Sequence, residues 1–265
     1  MSEKREKDNR FLVDTENVDL IIDNIKKMVD AEYFKERMKH AKVTRVIYRM
    51  PCLKENEYRW LRILIGDIDC HGNSGVTITY KVKNTHVGFE QKIPFLKVDD
   101  FDRATEFFES LGFARTSLQE NYRTKIYVTF EKIKYMIRFD IWPSLEEVTF
   151  VTVEEVTPTD PRTRAAFIDF LKLRDYDVSS GSIVDVDTAY KERLGFKASD
   201  IPQLCFELDL KKQCEESQEQ NKSDEKDNLF YMWLSNEWGD VQRLFQAFRK
   251  SRYTMDEAID LLTKK

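Results

Sequence analysis

Apolar and polar residues alternate along much of this chain, and the alternation sets the reading of its strands. In Thr77-Ile78-Thr79-Tyr80-Lys81-Val82-Lys83 one set of positions is Thr, Thr, Lys, Lys and the other Ile, Tyr, Val. Tyr122-Arg123-Thr124-Lys125-Ile126-Tyr127-Val128 brings Arg123 and Lys125 together, and residues 134–141 set Lys134, Arg138 and Asp140 opposite Tyr135, Ile137, Phe139 and Ile141. Side chains of a strand point alternately to its two faces, so each segment has one ionic and one greasy face. A single strand of this kind is equally the outer strand of an ordinary sandwich, with its charges in water. Repetition, with helices available to cover the greasy faces, favours a barrel whose interior is charged.

In all, strands are predicted at 43–50, 58–65, 76–83, 88–95, 113–117, 122–130, 134–141 and 147–156. Between 66 and 75, Asp, Asn, Ser and Gly mark a loop. The 3.6-residue period predicts helices elsewhere. One follows Asn17 to about Met38, carried by Val18, Ile21, Ile22, Ile25, Met28 and Val29. A second starts at Asp99, with Phe101, Ala104, Phe107, Phe108 and Leu111 as its stripe and Gly112 at its end. Asp160-Pro161 opens a third, and a fourth runs from Asp187 to Gly195. Residues 211–228 hold almost no apolar side chain and read as a polar linker. Beyond it, Trp233, Leu234, Trp238, Val241, Leu244, Phe245 and Phe248 form a helical stripe, and Thr254 with Glu257 makes a capping box. That tail either packs on the main body or docks a protein partner. The organisation predicted is one α+β domain over 1–205, a linker over 206–228 and a helical segment over 229–265.

Composition narrows the functional classes. The chain has 265 residues and a net charge of -5, which argues against general binding of nucleic acid or anionic membrane. No apolar run approaches the roughly 20 residues needed to span a bilayer, and the charged N-terminus is unlike a secretory signal, so a cytoplasmic protein is expected. Cys52, Cys70, Cys205 and Cys214 form no CxxC pair, which gives neither a zinc motif nor a disulfide framework. His40, His71 and His86 have no spacing of a triad or metal site.

A set of short motifs, in order, resembles the CYTH group of triphosphate tunnel enzymes over residues 6–195. Glu6-Lys7-Asp8-Asn9-Arg10 is similar to that group's opening Glu-x-Glu-x-Lys strand, although a charged leader has the same spacing. Arg59-Trp60-Leu61-Arg62-Ile63-Leu64 resembles Leu-Arg-x-Arg with Leu64 in place of the second Arg, and Thr79-Tyr80-Lys81 resembles its lysine strand. Phe89-Glu90-Gln91-Lys92 is similar to the next strand, with Lys92 where a second acid is common. Phe-Phe-Glu-Ser-Leu-Gly-Phe at 107–113, Tyr122-Arg123, and Ile137-Arg138-Phe139-Asp140 follow. In the closing motif Glu146 replaces Gly and Thr152 replaces the first acid of Glu-x-Glu, leaving Glu154; Ala189-Tyr190-Lys191-Glu192-Arg193-Leu194 resembles the late helix.

The resemblance implies an eight-stranded antiparallel β-barrel with helices outside, holding a triphosphate among basic side chains. Arg62, Lys81, Lys83, Arg123, Lys125 and Arg138 would bind phosphate; Glu6, Asp8 and Glu154 would hold Mg²⁺ or Mn²⁺; Arg10 would join Glu6 and Asp8 in catalysis. Glu90, Lys92 and Asp140 would be further tunnel residues. Basic side chains neutralise a phosphate chain through charge-assisted hydrogen bonds, and carboxylates recruit a hard cation. The implied activity is metal-dependent hydrolysis of tripolyphosphate, a nucleoside triphosphate or thiamine triphosphate. The Thr152 and Leu64 departures open one alternative, a tunnel that binds a polyanion or nucleotide without turnover; the shared barrel implies another, a class IV adenylyl cyclase, ranked lower because no residue specifically announces adenine.

Overall fold

The computed structural model describes residues 9–50, 57–84, 89–98, 100–110, 113–157, 161–179, 185–210 and 212–213. Eight principal strands follow in chain order: β1 (Arg10–Asp14), β2 (Phe34–Met50), β3 (Glu57–Ile65), β4 (Val76–Asn84), β5 (Phe89–Val98), β6 (Arg115–Phe130), β7 (Ile133–Ile141) and β8 (Val148–Glu155). A two-residue β9 (Gln203–Leu204) pairs with β6. The helices are α1 (Val18–Met28), α2 (Phe101–Ser110), α3 (Pro161–Phe170) and α4 (Val186–Leu194). The α+β class expected from the alternation is the one observed.

Two compact units divide the chain, the first within Met1–Thr44, Gly66–Ser74 and Ser117–Ser217 and the second within Arg45–Ile65 and Gly75–Thr116. In the first the order of hydrogen-bonded neighbours is β1-β8-β7-β6-β2; in the second it is β2-β3-β4-β5, β2 contributing to both. The registers of β1 with β8, β8 with β7, β7 with β6, β3 with β4 and β4 with β5 are antiparallel.

The period-two pattern of the first unit is realised as two unlike faces. Phe11, Val13, Ile126, Val128, Tyr135, Ile137, Phe139, Val151 and Val153 share a buried apolar cluster with Ile21, Ile22 and Ile25 of α1 and Phe167 and Ile168 of α3. Tyr135 stacks on Phe167 with ring centroids 3.9 Å apart. The alternate positions of β6, β7 and β8 carry Arg123, Lys125, Arg138, Asp140, Thr152 and Glu154. Leu12 and Phe150 end that second face in a smaller apolar cluster with Trp142, Ala189 and Tyr190 of α4, Ile201 and Leu204. In the second unit, Tyr48 of β2 packs against Phe108 and Phe113 and donates to the Thr105 carbonyl at 3.3 Å.

Several expectations need correction. The first helix ends at Met28 rather than near Met38, because the helical apolar repeat stops at Val29. Beyond it Phe34 and Met38 belong to the 17-residue β2, not to a short strand at 43–50. Asn17 precedes α1 as expected, yet its side chain makes no capping bond. The strands predicted at 113–117 and 122–130 are one, β6. The fourth helix begins at Val186 with Asp185 as cap, its carboxylate accepting from the Thr188 N–H at 2.8 Å, and closes on Gly195 at φ 87. Gly112, His86, Cys52, Cys214, the 211–228 linker apart from 212–213, and the 229–265 segment lie outside the described residues. No helix among the described residues is long and apolar enough to cross a membrane.

Candidate functional site

The antiparallel ladder of β6 and β7 puts Arg123 opposite Asp140 and Lys125 opposite Arg138, and the β7–β8 ladder puts Arg138 opposite Thr152. Three bases therefore gather on one sheet face from positions that alternate in sequence. Directly opposed residues have their Cβ atoms about 5 Å apart, so like charges at Lys125 and Arg138 repel unless acids intervene.

Three carboxylates intervene, and they arrive by different routes. Asp140 is fixed to Arg123 by its own strand: Arg123 Nε donates to Oδ1 at 2.6 Å and Nη2 to Oδ2 at 3.1 Å, while Asn121 Nδ2 donates to Oδ1 at 2.9 Å. Glu154 on β8 accepts from Arg138 Nη2 at 3.0 Å. Asp67 comes from the loop between β3 and β4; its Oδ2 lies 3.2 Å from Arg123 Nη1, and its Oδ1 accepts from Lys125 Nζ. Lys125 also donates to the Ile68 carbonyl at 2.7 Å. The side chains of Arg123 and Lys125 are each 3% exposed, whereas Asp67 is 26% exposed.

Ionisation follows from this crowding. Burial pushes the Asp67 carboxyl up, but Arg123, Lys125 and Arg138 more than reverse that and hold it below the usual carboxylate range. Lys125 is lowered because burial, aided by the Arg123 and Arg138 charges, outweighs the attraction of Asp67. Burial acts against the charge on Arg123 too, yet the two carboxylates it bridges raise it above its ordinary value. Arg138 retains an unmet need: its Nε is buried and has no hydrogen-bond partner among the described residues. An unsatisfied buried donor costs about 1–3 kcal/mol, and more when charged.

The remaining candidates separate as follows. Arg10 lies opposite Thr152 on the β1–β8 ladder, half-buried. Arg62, Lys81, Lys83, Glu90 and Lys92 belong to the second unit; Lys81 is in register with Lys92, and Lys83 with Glu90. The side chains of Lys81, Lys83, Glu90 and Lys92, and Glu6 and Asp8 entirely, lie outside the described residues. Sequence reading missed Asp67, Asn121 and the Ile68 carbonyl. Asp67 sits in a segment read only as a loop, and its partners are distant in sequence; the signal available was the surplus of bases on the β6–β7 face, which needs an acid from elsewhere.

Among the described residues no group of three His, Cys, Asp or Glu side chains could hold a metal. Asp67, Asp140 and Glu154 each face a base. The described donors thus do not fit a divalent cation site, and no chemical step is assigned through one.

Comparison with solved structures finds likeness at low identity. A "putative adenylate cyclase" of Vibrio parahaemolyticus aligns with a TM-score of 0.40 and 13% identity over 63% of this chain and 86% of that one. A protein of Pyrococcus horikoshii OT3 aligns at 0.40 and 14% over 67% and 99% of the two chains. A second "putative adenylate cyclase", of Bacillus halodurans, aligns at 0.36 and 14% over 70% and 95%. No family model and no curated protein matches the chain.

Proposed function

We propose that this chain is a divergent CYTH-type protein whose first unit binds the phosphate chain of a small triphosphate compound. The observation that carries the reading is Arg138, a half-buried guanidinium whose buried Nε lacks an acceptor among the described residues, opposite Lys125 on the β6–β7 ladder. A phosphate oxygen would supply that acceptor, through a hydrogen bond strengthened by charge and by the scarcity of water. Arg123, clamped by Asp140, would act as a fixed positive post, and Lys125 as a mobile point charge.

Binding without turnover is the reading that the described residues support best, since Asp67, Asp140 and Glu154 are each engaged by a base. A second reading, triphosphate hydrolysis with Mg²⁺ or Mn²⁺, draws on Glu154, which is 33% exposed at the rim of the cluster. The test is calorimetric titration of tripolyphosphate, ATP and thiamine triphosphate into the full chain, with and without EDTA, and an assay for released phosphate. Binding that survives EDTA with no phosphate release is expected; release dependent on metal would establish the second reading, and absence of binding by all three would overturn the proposal.

A further inference from the structure

The loop 66–74 delivers a carboxylate to the bases of the β6–β7 face as one stiff unit. Gly66 turns the chain out of β3 at φ +89, where a Cβ would stand 2.3 Å from the Lys42 carbonyl oxygen. The rest of the loop is tied to itself through one side chain: Asp69 Oδ1 accepts the N–H groups of His71 and Asn73, both at 2.9 Å, and its Oδ2 accepts Asn73 Nδ2 at 3.0 Å. Asp69 N–H donates to the Asn73 carbonyl at 3.0 Å, and Ile68 bridges to Ser74. At the tip, Gly72 leaves room for the Arg37 guanidinium, whose Nη1 would lie 3.3 Å from a Cβ there.

The loop meets the sheet through cationic side chains of β6 and β7. Asp67 reaches Arg123 and Lys125, the Ile68 carbonyl accepts from Lys125 at 2.7 Å, and the Cys70 carbonyl accepts from Lys134 at 3.3 Å. The contrast with Asp140 is mechanical. Asp140 is carried on the β6–β7 ladder itself, opposite Arg123, whereas Asp67 is carried on a loop that supplies no rung of the β3–β4 ladder it connects. Of the three carboxylates paired with Arg123, Lys125 and Arg138 among the described residues, the departure of Asp67 would leave Asp140 and Glu154, two negative charges against three positive.

We infer that Asp67 is an internal stand-in for the ligand: its carboxylate holds the seat between Arg123 and Lys125 that a phosphate group takes, and loop 66–74 lifts for the anion to enter. This rests on the anion-binding reading above. The loop therefore keeps the three bases compensated when no ligand is present and sets a threshold for binding, because an incoming anion must out-compete a tethered carboxylate at high effective concentration. A mono-anion gains little by the exchange; a phosphate chain, with several charges on neighbouring groups, gains most.

The test combines titration of tripolyphosphate in EDTA into the full chain, its Asp67→Asn variant and an Asp169→Asn control with hydrogen exchange of the wild type. Asp169 is 67% exposed and remote in sequence from the loop, so its replacement makes the same change in net charge. At least about tenfold tighter binding is expected for Asp67→Asn, and a change under twofold for Asp169→Asn. Adding tripolyphosphate to the wild type should speed exchange in peptides covering 66–74. Equal or weaker binding by a folded Asp67→Asn, or exchange in 66–74 that slows or stays constant, would overturn the inference; the exchange result alone decides if the variant does not fold. Wild-type binding with 66–74 unmoved leaves the anion site standing and removes the gate, whereas no binding by either protein removes both.

Discussion

Arg123 and Asp140 face each other across the β6–β7 ladder and form a two-point ion pair, 2.6 Å and 3.1 Å, with side chains 3% and 10% exposed. Such a pair is a poor source of net stability but a costly thing to break, because the surviving charge stays buried. Asp140→Asn should destabilise the chain by about 3 kcal/mol in urea unfolding. The exposed Lys39–Asp19 pair, 64% and 78% exposed, is the comparison: Asp19→Asn should change stability by less than about 0.5 kcal/mol. Similar losses in the two variants would contradict the buried pairing.

The depressed Asp67 carboxyl makes a prediction about acid. Because its folded value lies below the ordinary one of 3.8, it contributes stability that is complete above about pH 4 and is lost as pH falls through the folded value. Urea midpoints of wild type and Asp67→Asn should therefore differ most near neutrality and converge below pH 4. A gap that stays constant down to pH 3 would show that Asp67 is not held by these bases.

Gly66 and Gly195 both adopt positive φ, +89 and +87, but only Gly66 has backbone in the way of a Cβ. Gly195→Ala should cost about 1 kcal/mol, from the left-handed conformation alone. Gly66→Ala adds a clash with the Lys42 carbonyl and should cost at least twice as much, with faster hydrogen exchange in 66–74. Equal thermal shifts in the two variants would contradict this.

Phe167, wholly buried and stacked on Tyr135, ties α3 to the apolar face of the sheet. Phe167→Ala should cost about 3–5 kcal/mol in urea unfolding. A loss under about 1 kcal/mol would mean that α3 is not part of the core.

Much of the fold was legible because local pattern and burial agree. In β6 and β7, Arg123, Lys125 and Arg138 fall on one face and Ile126, Val128, Tyr135 and Ile137 on the other, as their alternation requires. The predicted end of α1 is too late because the helix is extended to Met38, beyond Val29 where its apolar stripe stops, although Phe34 and Met38 belong to β2. Within the site, the clustering of Arg123, Lys125, Arg138, Asp140 and Glu154 was readable, since neighbouring strands bring them together. Asp67 was not: a lone acid in a loop has no period, and only the fold reveals that it meets Lys125, 58 residues away.

A crystal structure of the full chain with tripolyphosphate, grown without divalent metal, is the most direct measurement of whether this face binds a phosphate chain. The expected result is a phosphate oxygen within hydrogen-bonding distance of Arg138 Nε and Lys125 Nζ, with Asp67 displaced from both Lys125 and Arg123. Tripolyphosphate seated elsewhere, with Arg138 Nε still lacking an acceptor and Asp67 still on Lys125, would contradict it.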